Sequence, residues 1–311
     1  MEFGAAFWIQ RTDWPSLRDA ALAAEAAGFD AVWLDDHLLS DEGHWTASKL
    51  EGWATLAALA PLTTRVRLCH LVVANTVRNP GLTAKLATTL DHLSGGRFVL
   101  GLGGGWFERE HDAFGLDFGA GFGERLDRLE EATSLIRRLL DGERVTHDGR
   151  FYRLRDAICE PKPTQARLPI LIGGSGRTKT LRTVARHADL WNGYGGPERI
   201  AEVSGWLRER CAEEGRAFDS IKRTVVLDVV IRNTAAAARA ADTVVLRSQG
   251  IRRRRTADDP EWTPLIAGPP GLVADRIRPY LGLGIGQVMW IFRAPWDRET
   301  IERLPEVRAA L

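Results

Sequence analysis

The sequence has few cysteines, no long apolar stretch and almost no net charge. It therefore lacks the features typical of a disulfide-rich secreted protein, a membrane protein or a nucleic-acid-binding protein. Its 311 residues include three cysteines, Cys69, Cys159 and Cys211, which are widely spaced and match no metal-ligand or disulfide pattern. No stretch approaches the roughly 20 apolar residues that span a bilayer, and the first residues lack a signal-peptide pattern. A net charge of +1 argues against a nucleic-acid-binding protein. We therefore expect a cytoplasmic globular protein with reduced thiols and no metal, membrane or nucleic-acid partner.

The sequence does contain a repeated alternation of short apolar runs with helical segments. With 44% hydrophobic residues the chain can bury a large core, and α/β barrels of this length often form one domain. The runs are continuous rather than alternating, which is typical of parallel strands buried on both faces. Eight strands are predicted, at 3–8, 31–34, 66–73, 98–102, 170–172, 189–191, 225–231 and 287–292, with helices at 15–27, 52–60 and 80–93. The pattern predicts an α/β fold, a (β/α)8 TIM barrel over 1–311.

The interval between the fourth and fifth predicted strands is too long for one helical crossover, so we predict an insertion at about 106–168. It contains a predicted helix at 125–140 and a hairpin at 145–152 with Asp148 and Gly149 at its turn. Such an insertion is expected to cover the carboxyl-terminal mouth of the barrel. A second irregular stretch, 247–270, carries four consecutive arginines and then acidic residues, and is either a solvated loop or a flexible lid.

Two of the predicted strands end in dense glycine clusters, at 101–105 and 173–176. Glycine frees the backbone and leaves no side chain to block a ligand, and backbone N–H groups at a helix start bind phosphate. The clusters therefore predict a site for an anionic cofactor, although glycines that serve only tight turns are the alternative. Ser175 would add a hydroxyl donor to this anion site, and Arg177 would add a positive charge. A helix predicted to begin near Thr178 would direct its amino end toward the same anion.

Several motifs, in this order, resemble the luciferase-like monooxygenase superfamily, and within it the oxidoreductases that use the deazaflavin coenzyme F420. They extend over most of the chain up to Asn192 and are the stretches EAAGFDAVW (25–33), DDH (35–37), RNP (78–80), LDHLSGGR (90–97), PILIGGSG (169–176) and ARHADLWN (185–192). The resemblance implies a barrel that holds the cofactor ring in its mouth and the cofactor phosphate near the glycine clusters.

The resemblance also implies roles for single residues. His37 would lie beside the reactive carbon of the deazaflavin and act as a catalytic acid or base, and Asp36 would orient His37 or bond the ring. A non-prolyl cis peptide between Leu71 and Val72 would press on the back of the ring, and Asn75 would contact ring or ribityl chain. The implied cofactor-binding set is Asp36, His37, Leu71, Val72, Asn75, Gly103, Gly104, Gly105, Gly173, Gly174, Ser175, Gly176, Arg177 and Thr178.

One position departs from part of the family. In its sugar-phosphate dehydrogenases a glutamate, assigned as the proton donor, stands where this chain has Trp106. An indole stacks or excludes water but delivers no proton, so the resemblance implies a more apolar small-molecule substrate, with Trp106 as the second catalytic candidate. Trp8, Trp45 and Trp53 are candidate aromatic walls.

Three functions remain open from the sequence. The first is F420-dependent hydride transfer to or from a small organic substrate. The second is an FMN-dependent two-component monooxygenase, although such relatives tend to be longer and carry larger insertions. The third is a non-catalytic flavin-binding protein, against which His37 and both glycine clusters count. A homodimer is also expected from the resemblance.

Overall fold

The computed structural model describes residues 1–252 and 263–311, in which strands and helices alternate. The strands are β1 (Glu2–Trp8), β2 (Ala31–Leu34), β3 (Arg67–His70), β4 (Val73–Ala74), β5 (Phe98–Gly103), β6 (Val145–Asp148), β7 (Arg153–Ala157), β8 (Ile170–Gly173), β9 (Leu190–Gly193), β10 (Lys222–Ile231), β11 (Leu265–Gly268) and β12 (Gln287–Arg293). The helices are α1 (Trp14–Ala26), α2 (Gly52–Leu59), α3 (Pro80–Leu93), α4 (Glu108–Phe114), α5 (Phe122–Leu140), α6 (Thr180–His187), α7 (Pro197–Glu213), α8 (Ala235–Ser248), α9 (Pro270–Gly282), α10 (Arg298–Glu302) and α11 (Leu304–Ala310).

Eight parallel strands close into the predicted barrel. They pair in the order β1, β2, β3, β5, β8, β9, β10 and β12, and β12 pairs in turn with β1. Each of the eight predicted strands corresponds to one of them, so the predicted fold class is confirmed. Within the part of the chain described, no helix combines the length and apolarity needed to cross a membrane.

Apolar side chains fill both sides of the barrel wall. One buried cluster inside the barrel includes Ala6, Trp33, Leu71 and Met289, and a larger one lies between the strands and the helices. Gly101 is required where the wall is tightest, because a Cβ at that position would lie 1.9 Å from the carbonyl oxygen of His70. The strands therefore approach one another more closely than a side chain would allow.

The third predicted strand, 66–73, is interrupted in the structure. β3 ends at His70, the peptide bond between Leu71 and Val72 is cis, and β4 resumes pairing with β5. The resemblance implied this bond at this position. Leu71 and Val72 lie between β3 and β4, at the carboxyl-terminal end of the barrel where its mouth opens.

The insertion is present and consists of α4, α5 and a hairpin of β6 and β7. α5 begins at Phe122, three residues before the predicted start, and buries the predicted apolar face. The hairpin pairs Asp148 with Arg153, so its second strand continues beyond the predicted end at Tyr152. α5 packs against α3 and α6, so much of the insertion lies along the side of the barrel.

The stretch 247–270 differs from the prediction of one irregular loop. α8 continues to Ser248, and Leu265–Gly268 forms β11, which pairs with the end of β10 outside the closed ring. The four-residue run of β11 is too short to stand out among the glycines and prolines beside it. Most of the arginine cluster, from Arg253 onward, lies outside the described residues.

Candidate functional site

The predicted site residues lie at the carboxyl-terminal ends of four neighbouring barrel strands. His37 follows β2, Val72 follows β3, Gly104 follows β5 and Ser175 follows β8. Because parallel strands end at the same rim, residues far apart in sequence converge on one mouth. A separate open groove of about 750 Å³, lined by Arg11, Ser16 and Trp296 among others, contains none of them.

His37 lies between two carboxylates. Its Nδ1 is 3.1 Å from Oε1 of Glu110, and its Nε2 is 3.9 Å from Oδ2 of Asp41. Burial lowers the pKa of His37, but the Asp41 carboxylate and the hydrogen bond to Glu110 outweigh burial and raise the pKa to about 9. The imidazole is therefore protonated at neutral pH and can act as an acid.

Glu110 is a residue of the candidate site that the sequence did not reveal. It lies on α4 with its side chain fully buried, and its carboxylate accepts hydrogen bonds from His37 Nδ1–H and from the backbone N–H of Leu38 at 2.8 Å. A buried carboxylate needs such donors to remain stable. Glu108 lies two residues earlier on the same short helix, and no sequence signal distinguishes the two glutamates.

Asp36 lies at the predicted strand end but is hydrogen-bonded to Arg78 and not to His37. Its Oδ2 accepts a hydrogen bond of 2.6 Å from Arg78, while Oδ1 is buried and has no hydrogen-bond partner. Of the two roles predicted for Asp36, Glu110 fills that of orienting His37, and a hydrogen bond from Asp36 to the ring stays a prediction. Burial raises the pKa of Asp36 to about 7, against the lowering effect of Arg78. An unpartnered oxygen at the strand end is suited to a ligand that donates a hydrogen bond.

Aromatic side chains form one side of the rim. Trp106 is 43% exposed, stacks on Phe107, and packs edge-on against His37 with ring centroids 5.2 Å apart. Trp45 stacks under the guanidinium of Arg109 on α4. Trp53 is not a wall of the mouth, because it is buried against His70 and Phe98 behind the strands.

The cis peptide and two strand-end glycines shape the bottom of the mouth. Val72 is partly exposed, and a Cβ at Gly103 would lie 2.7 Å from its Cγ2. A Cβ at Gly173 would lie 3.5 Å from Val72 Cγ1. Val72 thus stands between two positions without side chains, which leaves an apolar surface suited to a flat ring.

The second glycine cluster offers unused backbone donors. Gly174 adopts φ of +115°, and its own N–H is bonded to the carbonyl of Asn192, so Gly174 is not itself a phosphate donor. Among the described residues, the backbone N–H groups of 175–178 have no acceptor. α6 begins at Thr180, two residues later than predicted, and follows this turn directly.

Arg177 does not point toward the glycine cluster. Its guanidinium lies 3.2 Å from Glu209 on α7 and packs over the ring of Trp206, which contradicts its predicted place beside the anion. Near the first cluster, by contrast, Arg125 donates from Nε to the carbonyl of Gly105 at 3.0 Å. The arginine beside a glycine cluster is therefore Arg125, which sequence reasoning had placed only at the start of a helix.

Asn75 ties the mouth to the insertion. Its Nδ2 donates to the hydroxyl of Tyr152 at 2.9 Å, and the residue is buried. Tyr152 lies between β6 and β7. The hairpin is thereby fixed to the segment that follows the cis peptide.

Known proteins with similar sequences and folds carry related descriptions. Residues 1–285 match the family model described as luciferase-like monooxygenase. An F420-dependent glucose-6-phosphate dehydrogenase of Nakamurella multipartita is 32% identical over 307 residues, which are 90% of this chain and 86% of that protein. Among solved structures, an F420-dependent secondary alcohol dehydrogenase in complex with an F420-acetone adduct has a TM-score of 0.83 at 19% identity, covering 100% of this chain and 99% of that one. A long-chain alkane monooxygenase has a TM-score of 0.81 at 18% identity, covering 99% and 91%.

Proposed function

Because the chain belongs to the luciferase-like monooxygenase family, we propose that it transfers a hydride from reduced coenzyme F420 to a small organic substrate. The protein is an F420-dependent oxidoreductase, since relatives matching most of its length are named F420-dependent dehydrogenases. What we propose beyond this is the class of substrate, a small organic molecule, and the direction of hydride transfer, from the cofactor to that substrate. His37 carries the proposal, because a protonated imidazole at the mouth supports reduction.

The mouth fits the cofactor. The apolar surface of Val72 between Gly103 and Gly173 would support the ring, and Oδ1 of Asp36 would accept a hydrogen bond from it. The free N–H groups of 175–178 would hold the phosphate, with the start of α6 adding its positive end. When bound in its reduced form, F420 supplies the hydride from C5.

His37 would supply the accompanying proton. A carbonyl substrate takes the hydride at carbon and a proton from His37 at oxygen, which leaves an alcohol and a neutral imidazole. Glu110 holds Nδ1 through its hydrogen bond, so Nε2 is the nitrogen that can release a proton. Its partial exposure allows reprotonation from solvent. Trp106 beside it would exclude water and present an apolar surface to the substrate.

A spectral titration tests the cofactor. Purified protein is titrated separately with F420 and with FMN, and binding is followed by fluorescence quenching. We expect F420 to bind with micromolar or tighter affinity and FMN distinctly more weakly. Preferential binding of FMN would favour the two-component monooxygenase instead.

A substrate screen tests the reaction. Activated alkenes, ketones and alcohols are incubated with the protein, ketones and alkenes with reduced F420 and alcohols with oxidised F420, while the cofactor absorbance is recorded. We expect turnover with acceptors such as ketones or activated alkenes. F420 binding without turnover of any class would favour a non-catalytic flavin-binding protein.

A further inference from the structure

Three charged side chains are buried together behind His37. Lys49, Asp35 and Asp41 have side chains 2%, 4% and 7% exposed. Lys49 Nζ lies 2.7 Å from Asp41 Oδ1 and also bonds Oδ2 of Asp35. Burying three charged groups costs free energy of desolvation. Apolar residues of similar volume would usually stabilise the fold as well or better. The cluster therefore calls for a reason beyond packing.

The two oxygens of Asp41 face different cations. Oδ1 accepts a hydrogen bond from Lys49, whereas Oδ2 lies 3.9 Å from Nε2 of His37. Burial raises the pKa of Asp41, but Lys49 and His37 outweigh burial and lower it well below its usual range. Asp41 is therefore a carboxylate whose charge is shared between an ammonium and the imidazole.

The backbone fixes Lys49 in this position. Residue 49 forms an isolated β-bridge with Gln10, and the N–H groups of Arg11 and Leu50 bond the carbonyls of Ser48 and Ile9. Asp35, the second partner of Lys49, accepts a hydrogen bond from the N–H of Ile9 at 3.1 Å. The backbone at Lys49 is thus anchored to the extension of β1, while its ammonium reaches the segment that carries His37.

We propose that Lys49 is a positioning residue for His37: by holding one oxygen of Asp41 it limits how strongly Asp41 pairs with the imidazole, and so keeps His37 able to release its proton. The proposal rests on the role assigned to His37 in the proposed function. The charged groups around the imidazole are Glu110 on α4, Asp41 and Lys49 after β2, and the neighbouring Asp36 with its partner Arg78.

A double-mutant cycle tests the proposal through the pKa of His37, measured by NMR titration of the cofactor-free protein. The imidazole signal is assigned by its absence in His37→Gln. We expect Lys49→Met to raise the pKa of His37 by about one unit or more, because Asp41 then pairs with the imidazole alone. Asp41→Asn is expected to lower it, and Lys49→Met should raise it less in the Asp41→Asn background than in the natural protein, because only the direct repulsion between Lys49 and the imidazole is then removed.

Lys49→Arg, which retains the charge, serves as the matched control and should leave the titration close to that of the natural protein. In a turnover assay, Lys49→Met should lower kcat about tenfold or more with little change in KM. An unchanged His37 titration in folded Lys49→Met would overturn the proposal, as would a shift of the same size when Asp41→Asn is present.

If Lys49→Met does not fold, Asp35→Asn takes its place in the cycle. With Asp35 neutral, Lys49 pairs with Asp41 alone, so the pKa of His37 should fall, and this fall should be smaller when Asp41→Asn is also present. A fall of the same size in that background would equally overturn the proposal. The titration needs neither F420 nor substrate, so its failure is distinguishable from failure of the proposed function.

Discussion

His37 illustrates what single residues disclose before a structure is known. Its place after a predicted strand and within the DDH motif pointed to the mouth of the barrel, where the structure puts it. Its partners Glu110 and Asp41 could not be read from the sequence, because they depend on the path of two loops across the rim. Sequence thus placed His37 at the mouth, whereas tertiary contacts set its protonation; its role as an acid stays a prediction.

Replacing His37 should affect chemistry more than binding. We expect His37→Ala to lower kcat for reduction by roughly 100-fold or more, the usual contribution of a positioned acid, with F420 affinity changed much less. Steady-state kinetics with a substrate from the screen provide the measurement. His92→Ala, on the exposed end of α3, is the control and should retain activity. Unaltered turnover of His37→Ala would remove the residue from the mechanism.

The charge of His37 also predicts a pH dependence of stability. Because its pKa in the folded protein, about 9, lies above the unfolded value of 6.5, protonation favours the folded state. This contribution, on the order of 3 kcal/mol, is fully present below pH 6.5 and is lost as pH rises through 9. Urea unfolding of the natural protein and His37→Gln between pH 6 and 10 measures it. Parallel curves for the two proteins would contradict the assignment.

At the scale of elements, the turn between β8 and α6 shows where motif reading succeeds and where it fails. The glycine cluster did predict a turn with free backbone donors before a helix. The donors are the N–H groups of 175–178, however, and Gly174 is needed for its conformation instead. The N–H of Gly174 is already used because β8 pairs with β9, where the carbonyl of Asn192 accepts it. The local glycine pattern carries no information on that pairing.

Gly174→Val should therefore weaken F420 binding by reshaping the turn. A branched residue at φ of +115° is strained, and its Cβ would lie 3.3 Å from Thr180 Cγ2 at the start of α6. We expect a loss of about 1–3 kcal/mol in binding, measured by fluorescence titration. Gly28→Ala is the control, because Gly28 also has positive φ, at +96°, but lies at the end of α1. It should lower stability and leave affinity unchanged; equal losses of affinity in both variants would refute the assignment.

At the scale of the whole molecule, the apolar runs and the family resemblance together predicted the closed barrel. Continuous runs favour parallel strands buried on both faces over an alternating antiparallel sheet, and eight strands in a chain of this length fit a barrel. The pattern did not separate β3 from β4, because the apolar run continues across the break, and β11 escaped prediction because it lies among the glycines and prolines of an irregular stretch. The side-on packing of the insertion also escaped, since it depends on contacts of α5 with α3 and α6.

The contacts between the insertion and the barrel helices support the prediction that 1–311 forms a single domain. Arg182 and Arg186 on α6 both pair with Glu130 on α5, and Asn75 holds Tyr152 of the hairpin. We therefore expect the insertion to unfold together with the barrel. Thermal melts followed by far-ultraviolet circular dichroism and by tryptophan fluorescence should coincide. A separate transition at lower temperature would instead identify the insertion as an independent unit.

The pairing of β1 with β12 has a consequence for how the protein is made. β1 leaves the ribosome long before β12, so one of its edges finds its partner only when Gln287–Arg293 has been synthesised. Until then the nascent chain carries an open strand edge and an uncovered interior at Ala6, which favours association with other chains. Ribosome stalling or premature termination before Gln287 would therefore leave a product that depends on chaperones and proteases for its removal.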